Sequence, residues 1–287
     1  MTPLRRQMLD AMCQRGFSPR TQQSYIYAAR SLAAYFGRSP ARLSMQDLQQ
    51  YFKVLAVERK LSASTCRLHL HSIRFLFQQV LQRSDFDEVA LIVPKRPQRI
   101  PPLLTRAEVA RIIEACDNPK HRMLLEVCYG CGLRVSEVVA LRVDDIDCER
   151  RLLRVEQGKG AKDSAVIISP LLLDKLRRYW RCSRPRVWLF PHTFQPQHHI
   201  GVSSAQRLFG RCRRRAGVSK SVGIHGLRHA YATHQLENGL AVHELQRLLG
   251  HGHLQTTLRY IHWTPSDERG TSGHVDLLAL LPEVHHA

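Results

Sequence analysis

Near its C-terminus the chain reads His225-Gly-Leu-Arg228-His229, then Leu249-Gly250-His251, then Tyr260 within Thr256-Thr257-Leu-Arg-Tyr260-Ile-His262. Imidazoles, a guanidinium and a phenol so grouped suit one chemistry, attack of a tyrosine on a DNA phosphodiester. Breaking that bond requires a nucleophile, cations to neutralise charge on pentacoordinate phosphorus, and an acid for the leaving 5′-oxygen. His225 and Arg228 stand three apart at an expected helix start, so they share a face and reach one phosphate. Arginine fits because its planar fork binds two phosphate oxygens at once. A free phenol titrates near pH 10, so neighbouring imidazoles and guanidinium groups would help to activate Tyr260.

The rest of the chain must position these groups and hold their target. At 287 residues it exceeds one comfortable core, so two domains are expected. Lys plus Arg number 43 against 24 Asp plus Glu, a formal net charge of +19, which points to a polyanionic partner such as DNA. The N-terminus has no apolar h-region, and no stretch approaches the ~20 apolar residues of a membrane span. A cytoplasmic protein is therefore expected. The eight cysteines follow no framework spacing and read as reduced thiols.

The first third reads as helices. Ser18-Pro19 and Gly37 bracket one, with Tyr25, Ala29, Leu32 and Phe36 on one face. Others open at Ser44, with Asp47 three residues on, and near Ser62 or Ser64. Pro94 to Pro102 packs four prolines and three basic residues into nine positions and reads as an extended linker. The expected organisation is thus a helical domain over 1–93, a linker over 94–102 and a second domain over 103–287. The second opens on the capping-box pattern Thr105-Arg-Ala-Glu108. Around a turn at Gly158-Lys159-Gly160, residues 152–169 read as a β-hairpin. Helices return at 170–180, 203–215, 225–238, 242–249 and 256–262, ahead of a short apolar segment, Leu277–Leu281. The fold class is mainly α with a small β-hairpin or sheet.

At these residues the chain resembles the tyrosine recombinase, or phage-integrase, family, including Xer-type and integron-type integrases. Gly130-Cys-Gly132-Leu133-Arg134-Val-Ser136-Glu137-Val-Val-Ala140-Leu141 looks like its first arginine box. His225-Gly-Leu-Arg228-His229 matches the second box, Leu248-Leu-Gly250-His251 with Tyr260 matches the third, and Lys159 is similar to the family's hairpin lysine. Thr21 to Tyr25 and Leu55 to Lys60 look like its N-terminal core-binding domain. The extra insertion that integron integrases carry before the last boxes is missing.

The resemblance implies that Tyr260 forms a 3′-phosphotyrosyl link while Arg134 and Arg228 bind the non-bridging oxygens. Lys159 would protonate the leaving 5′-hydroxyl, His225 would act as base or acid, and His251 would hydrogen-bond the phosphate. Glu137 and Asp145 would support this shell. Lys162 competes with Lys159 for the acid role, and His253 with His251. The resemblance further implies a two-domain clamp on double-stranded DNA and a homotetramer holding two sites, with strands exchanged through a Holliday junction. A C-terminal helix would be exchanged between protomers. Neither cofactor nor metal is expected, because the phosphotyrosine keeps the energy of the cut bond.

Each motif also has a bland reading. A lone His-x-x-Arg is usually a surface pair, and a lone tyrosine is usually packing, as expected for Tyr129, Tyr179 and Tyr231. Cys128 and Cys131 read as core residues, Asp144-Asp145-x-Asp147 as a solvated acidic turn, and Tyr25 and Tyr27 as core. Arg211-Cys-Arg-Arg-Arg215 is either a solvated face or a phosphate contact, the latter favoured. The rival to a recombinase is a DNA-binding architectural protein or repressor on the same scaffold that no longer cuts. Within enzymes, a type IB topoisomerase would use a similar site.

Overall fold

A computed structural model describes residues 2–87, 91–95, 101–155 and 164–261. The chain divides into two compact units, Met1–Arg99 and Ile100–Ala287. Lys159, Lys162, His262, part of the proline-rich linker and Leu277–Leu281 lie outside the described residues.

The first unit is helical. α1 (Pro3–Gln14), absent from the sequence expectation, starts at Thr2, whose side chain accepts from the Arg5 backbone N–H. α2 (Pro19–Phe36) runs from Ser18 as N-cap to Gly37, left-handed at φ +64°. α3 (Met45–Lys53) opens on a reciprocal cap between Ser44 and Asp47, and α4 (Ala63–Arg74) opens on Ser62. α3 and α4 each widen into a π-helical turn, at Val54–Glu58 and Phe75–Val80. Their shared core contains Leu32, Leu48, Phe52, Leu55, Ile73, Leu76 and Phe77. Tyr25 packs partly buried against it. Tyr27 does not: it is 66% exposed, because the buried stripe of α2 follows Ala28 and Leu32 and position 27 turns about 100° away from it.

The second unit begins with α5 (Arg106–Glu114), whose Thr105 and Glu108 form the expected capping box. α6 (Pro119–Gly130) and the one-turn α7 (Val135–Val139) follow. A three-stranded antiparallel sheet comes next, in the order β1 (Ile146–Asp147), β2 (Leu152–Val155), β3 (Ser164–Ile167). The pair Leu153↔Val166 sets the hairpin register and turns both side chains into the core. β1, only two residues long, is the strand the sequence did not show.

Asp145 departs from the solvated turn expected of it. It is buried, and its carboxylate accepts from the Arg142 backbone N–H at 2.7 Å, so it fastens the turn ahead of β1.

α8 (Pro170–Ser183), α9 (Val202–Arg215), α10 (His225–Glu237), α11 (Val242–Leu249) and α12 (Leu254–Ile261) complete the unit. α10 is its axis. Gly226, Leu227, Arg228, Ala230, Tyr231, Ala232 and Leu236 are all buried, as in a helix enclosed on every side. Cys128 and Cys131 lie in the surrounding apolar core, and burial pushes the Cys131 thiol up to about 12. Among the described residues no helix is long and apolar enough to cross a membrane.

Candidate active site

Five of the six expected reactive residues lie among the described residues, and the fold brings them together from four segments. Arg134 precedes α7, His225 and Arg228 occupy the first turn of α10, His251 follows α11, and Tyr260 sits on α12. Each is set by local structure.

Arg134 is fixed by a carboxylate. Its backbone N–H donates to Glu137 Oε2 at 2.7 Å, and its Nη1 donates to Glu137 Oε1 at 2.6 Å. Glu137 also lies 3.7 Å from Arg228 Nη1, so one carboxylate faces two guanidinium groups. That satisfies the supporting role expected of Glu137.

Arg228 is almost fully enclosed, with 3% of its side chain exposed. Its Nη1 donates to Gly132 O at 2.8 Å and its Nη2 to Leu249 O at 2.5 Å. The guanidinium therefore joins the loop before α7 to the end of α11. Burial, then repulsion from Arg134, lowers its pKa to about 10, which leaves it cationic at neutral pH.

Gly132 makes this arrangement possible. Its φ is +62°, and a Cβ there would stand 2.4 Å from Cδ1 of the Tyr231 ring. We expect Gly132→Ala to cost about 2–4 kcal/mol through clash and backbone strain. Thermal melting should show the loss, and cleavage should fall with it because Arg228 loses its carbonyl anchor. A melting temperature equal to the parent's would refute this account of Gly132.

Tyr260 is 3% exposed and packs with Tyr231, Leu236, Leu245 and Leu249. Burial raises its pKa, and the positive charges of Arg228 and Arg134 oppose that rise. His229 Nδ1 lies 3.0 Å from the Tyr260 hydroxyl. The Tyr260 ring also faces the His251 imidazole in a near-parallel stack, centroids 6.3 Å apart. His251 Nδ1 is hydrogen-bonded to Thr257 Oγ1 at 2.9 Å, and Thr257 is fully buried. The same ring is therefore oriented from α12, the helix that carries the tyrosine.

His225 lies at the solvent end of α10, its ring edge-on to His229 at 4.6 Å. Loss of hydration lowers its pKa, and Arg228 and Arg134 push it further the same way. His229 and His251 are both held at about 4, chiefly by burial and then by neighbouring cations. An unfolded imidazole titrates near 6.5, so on acidification the unfolded chain takes up protons first. The stabilising contribution of these neutral rings is complete above about pH 6.5 and fades down to about pH 4. We expect the melting temperature to fall steadily across that window, less so in His251→Gln. A flat profile would refute it.

Sequence reasoning did not give His229 a role of its own. Its signal was the spacing, four residues after His225 and hence on one helical face, but what that face meets is set by α12. The tyrosines expected to be packing do pack: Tyr179 donates to Leu189 O, Tyr129 pairs with His234, and Tyr231 covers Gly132. In the basic stretch of α9, Arg213 donates to Lys220 O and Arg215 pairs with Asp117 at 2.6 Å. Both are thereby tied within the protein. Arg207, Arg211 and Arg214 instead line an open pocket of about 510 Å³ with Ser203, Gln206 and Gly210.

Two family models match, the phage integrase family over residues 102–267 and the phage integrase N-terminal SAM-like domain over residues 4–85. A putative integrase/recombinase y4qK of Sinorhizobium fredii is 40% identical over 278 residues, 97% of this chain and 90% of that one. The tyrosine recombinase XerA of Thermococcus kodakarensis is 33% identical over 249 residues, 85% of each chain. A lambda integrase dimer bound to a COC′ core site superposes with a TM-score of 0.73 at 19% identity, covering 88% of this chain and 95% of that one, a likeness of fold. The chain belongs to the phage integrase family of tyrosine recombinases.

Proposed function

We propose that Tyr260 is the nucleophile with which this site-specific DNA recombinase cuts and rejoins DNA. The observation that carries the assignment is the gathering of Arg134, Arg228, His225 and His251 around one buried phenol. The Tyr260 oxygen attacks the phosphorus, the 5′-oxygen leaves as a hydroxyl, and a 3′-phosphotyrosyl link remains. A 5′-hydroxyl from the other duplex then attacks that link and releases the tyrosine. Two such rounds pass through a Holliday junction.

Arg134 and the N–H groups of Arg228 not used on carbonyls bind the non-bridging oxygens, and their charge offsets that of the phosphorane. His251 donates to the phosphate through Nε2, its Nδ1 being held by Thr257. His225 acts as base or acid at the solvent edge, and Lys159 delivers the proton to the leaving oxygen. The Arg207, Arg211 and Arg214 face of α9 grips the DNA backbone, and the helical domain over 1–93 supplies a second DNA-binding surface. The working assembly is a homotetramer on two sites, joined by exchange of C-terminal helices, in the cytoplasm where the DNA lies.

The test is covalent trapping. Nicked duplexes tiled from DNA flanking the gene would be incubated with the protein and resolved on denaturing gels. We expect an adduct on one duplex, with the peptide bearing Tyr260 attached to a 3′-phosphate. Binding to that duplex should weaken steeply with salt, as counterions return to the phosphates. Tight binding of one duplex without any adduct would overturn the cutting function, and an adduct on another residue would overturn the choice of Tyr260.

A further inference from the structure

The hydrogen bond at the reacting oxygen points beyond the motif residues. His229 stands one helical turn after His225 on α10, and its Nδ1 lies 3.0 Å from the Tyr260 hydroxyl with ring centroids 5.6 Å apart. His225 meets the edge of the His229 ring rather than the face of the phenol. His251 stacks on the phenol ring, with its Nδ1 turned to Thr257. The proton that must leave Tyr260 thus has an acceptor already in place.

We propose that His229 is a catalytic residue, taking the phenolic proton of Tyr260 as its oxygen attacks phosphorus and returning it when the tyrosine is released. This rests on Tyr260 being the nucleophile. In the tautomer protonated at Nε2, the His229 Nδ1 lone pair accepts the phenol O–H. On attack, the O–H bond of Tyr260 breaks and an Nδ1–H bond forms while the oxygen bonds to phosphorus. The bond from phosphorus to the 5′-oxygen breaks, and that oxygen takes its proton from the separate general acid. In rejoining, a 5′-hydroxyl gives its proton back to that separate group as its oxygen attacks phosphorus, the phosphotyrosyl bond breaks, and the Nδ1 proton passes back to Tyr260.

The surroundings make this transfer depend on DNA. His225 and Arg228 face His229 from its own helix, Tyr260 faces it from α12, and His251 interacts with it from the loop after α11. Burial first, and then the positive charge that three of these groups carry or acquire, holds the His229 imidazole at about 4, while burial keeps the phenol above its usual range. The free protein therefore keeps the proton on oxygen. A phosphate entering between Arg134 and Arg228 screens the cations and favours the imidazolium, so the base strengthens when substrate arrives.

The test uses the full chain and the duplex identified by trapping. His229→Asn places Oδ1 where Nδ1 stood, keeping an acceptor for the Tyr260 hydroxyl that cannot hold a proton. Adduct formation would be timed on that duplex and on one with sulfur in place of the bridging 5′-oxygen, a leaving group that needs no protonation. DNA affinity and melting temperature would be checked alongside. We expect wild type to react with both duplexes and His229→Asn to lose about 10²–10⁴-fold on both. In His229→Ala, added imidazole should restore part of the rate.

A wild-type rate in His229→Asn would overturn the proposal, leaving His229 as a positioning residue. Recovery of the variant on the sulfur duplex would also overturn it, by moving the proton to the leaving group. If His229→Asn binds DNA poorly, imidazole rescue of His229→Ala decides, and absence of rescue there would count against the proposal. An adduct carried by a residue other than Tyr260 would refute the Tyr260 assignment itself, a separate failure.

Discussion

Tyr260→Phe is expected to bind DNA as tightly as the parent chain and to form no covalent adduct with it. The phenyl ring of the variant keeps the packing against Tyr231, Leu236, Leu245 and Leu249, so the fold around it persists. What disappears is the oxygen and its hydrogen bond to His229, a loss of about 1 kcal/mol. For a unit of this size that lowers the melting temperature by only about 2–4 °C. Cleavage should drop by on the order of 10⁵–10⁶, the scale seen when a nucleophile is removed from an otherwise intact site. Parallel binding and gel assays on one duplex separate the two quantities. An adduct formed by Tyr260→Phe would move the nucleophile elsewhere. Tyr179 is a poor substitute, since its hydroxyl is buried and committed to Leu189 O.

Arg228→Ala should be the most damaging single change to the second unit. It leaves Glu137 with one cation fewer and strands the carbonyls of Gly132 and Leu249. Removing one partner from such a buried network costs about 3–5 kcal/mol, or roughly 6–20 °C in melting temperature. Arg228→Lys keeps the charge, but an ammonium lacks the planar fork that reaches both carbonyls, so it should also melt early.

Arg134→Ala is the useful contrast. Its guanidinium is 24% exposed and holds Glu137 rather than a backbone carbonyl, so stability should fall by less than in Arg228→Ala while cleavage collapses. Melting curves of the two alanine variants test the distinction. Equal stability would show that the carbonyl contacts of Arg228 contribute little.

Much of this architecture was legible where local rules apply. Ser18 with Gly37, Ser44 with Asp47, Thr105 with Glu108, and Gly250 after α11 announce helix ends through backbone groups a few residues away. The hairpin was legible from its alternation, whereas a two-residue strand such as β1 carries too little pattern to be seen. The candidate site residues were picked out by type and order. Their partners were not, because those come from distant segments: Gly132 reaches Arg228 across 96 positions, and His229 reaches Tyr260 across 31. Tyr27 and Asp145 show the same limit, since exposure and burial there depend on what packs nearby. For Lys159 and the tail the expectation rests on the sequence and the family resemblance.

The two carbonyls that Arg228 holds bear on how relatives of this chain are to be read through descent. A lineage that gave up strand cleavage would be released from keeping its tyrosine, yet selection for a folded protein would go on preserving this arginine. Its presence in a distant relative is therefore testimony to a shared skeleton, and a poor witness to activity. The hydroxyl of Tyr260, whose removal leaves the ring packed against Tyr231, Leu236, Leu245 and Leu249, has less structural duty to shelter it from drift. Loss of that hydroxyl, with the arginine retained, would be the signature of a retired recombinase if Tyr260 is the nucleophile proposed above.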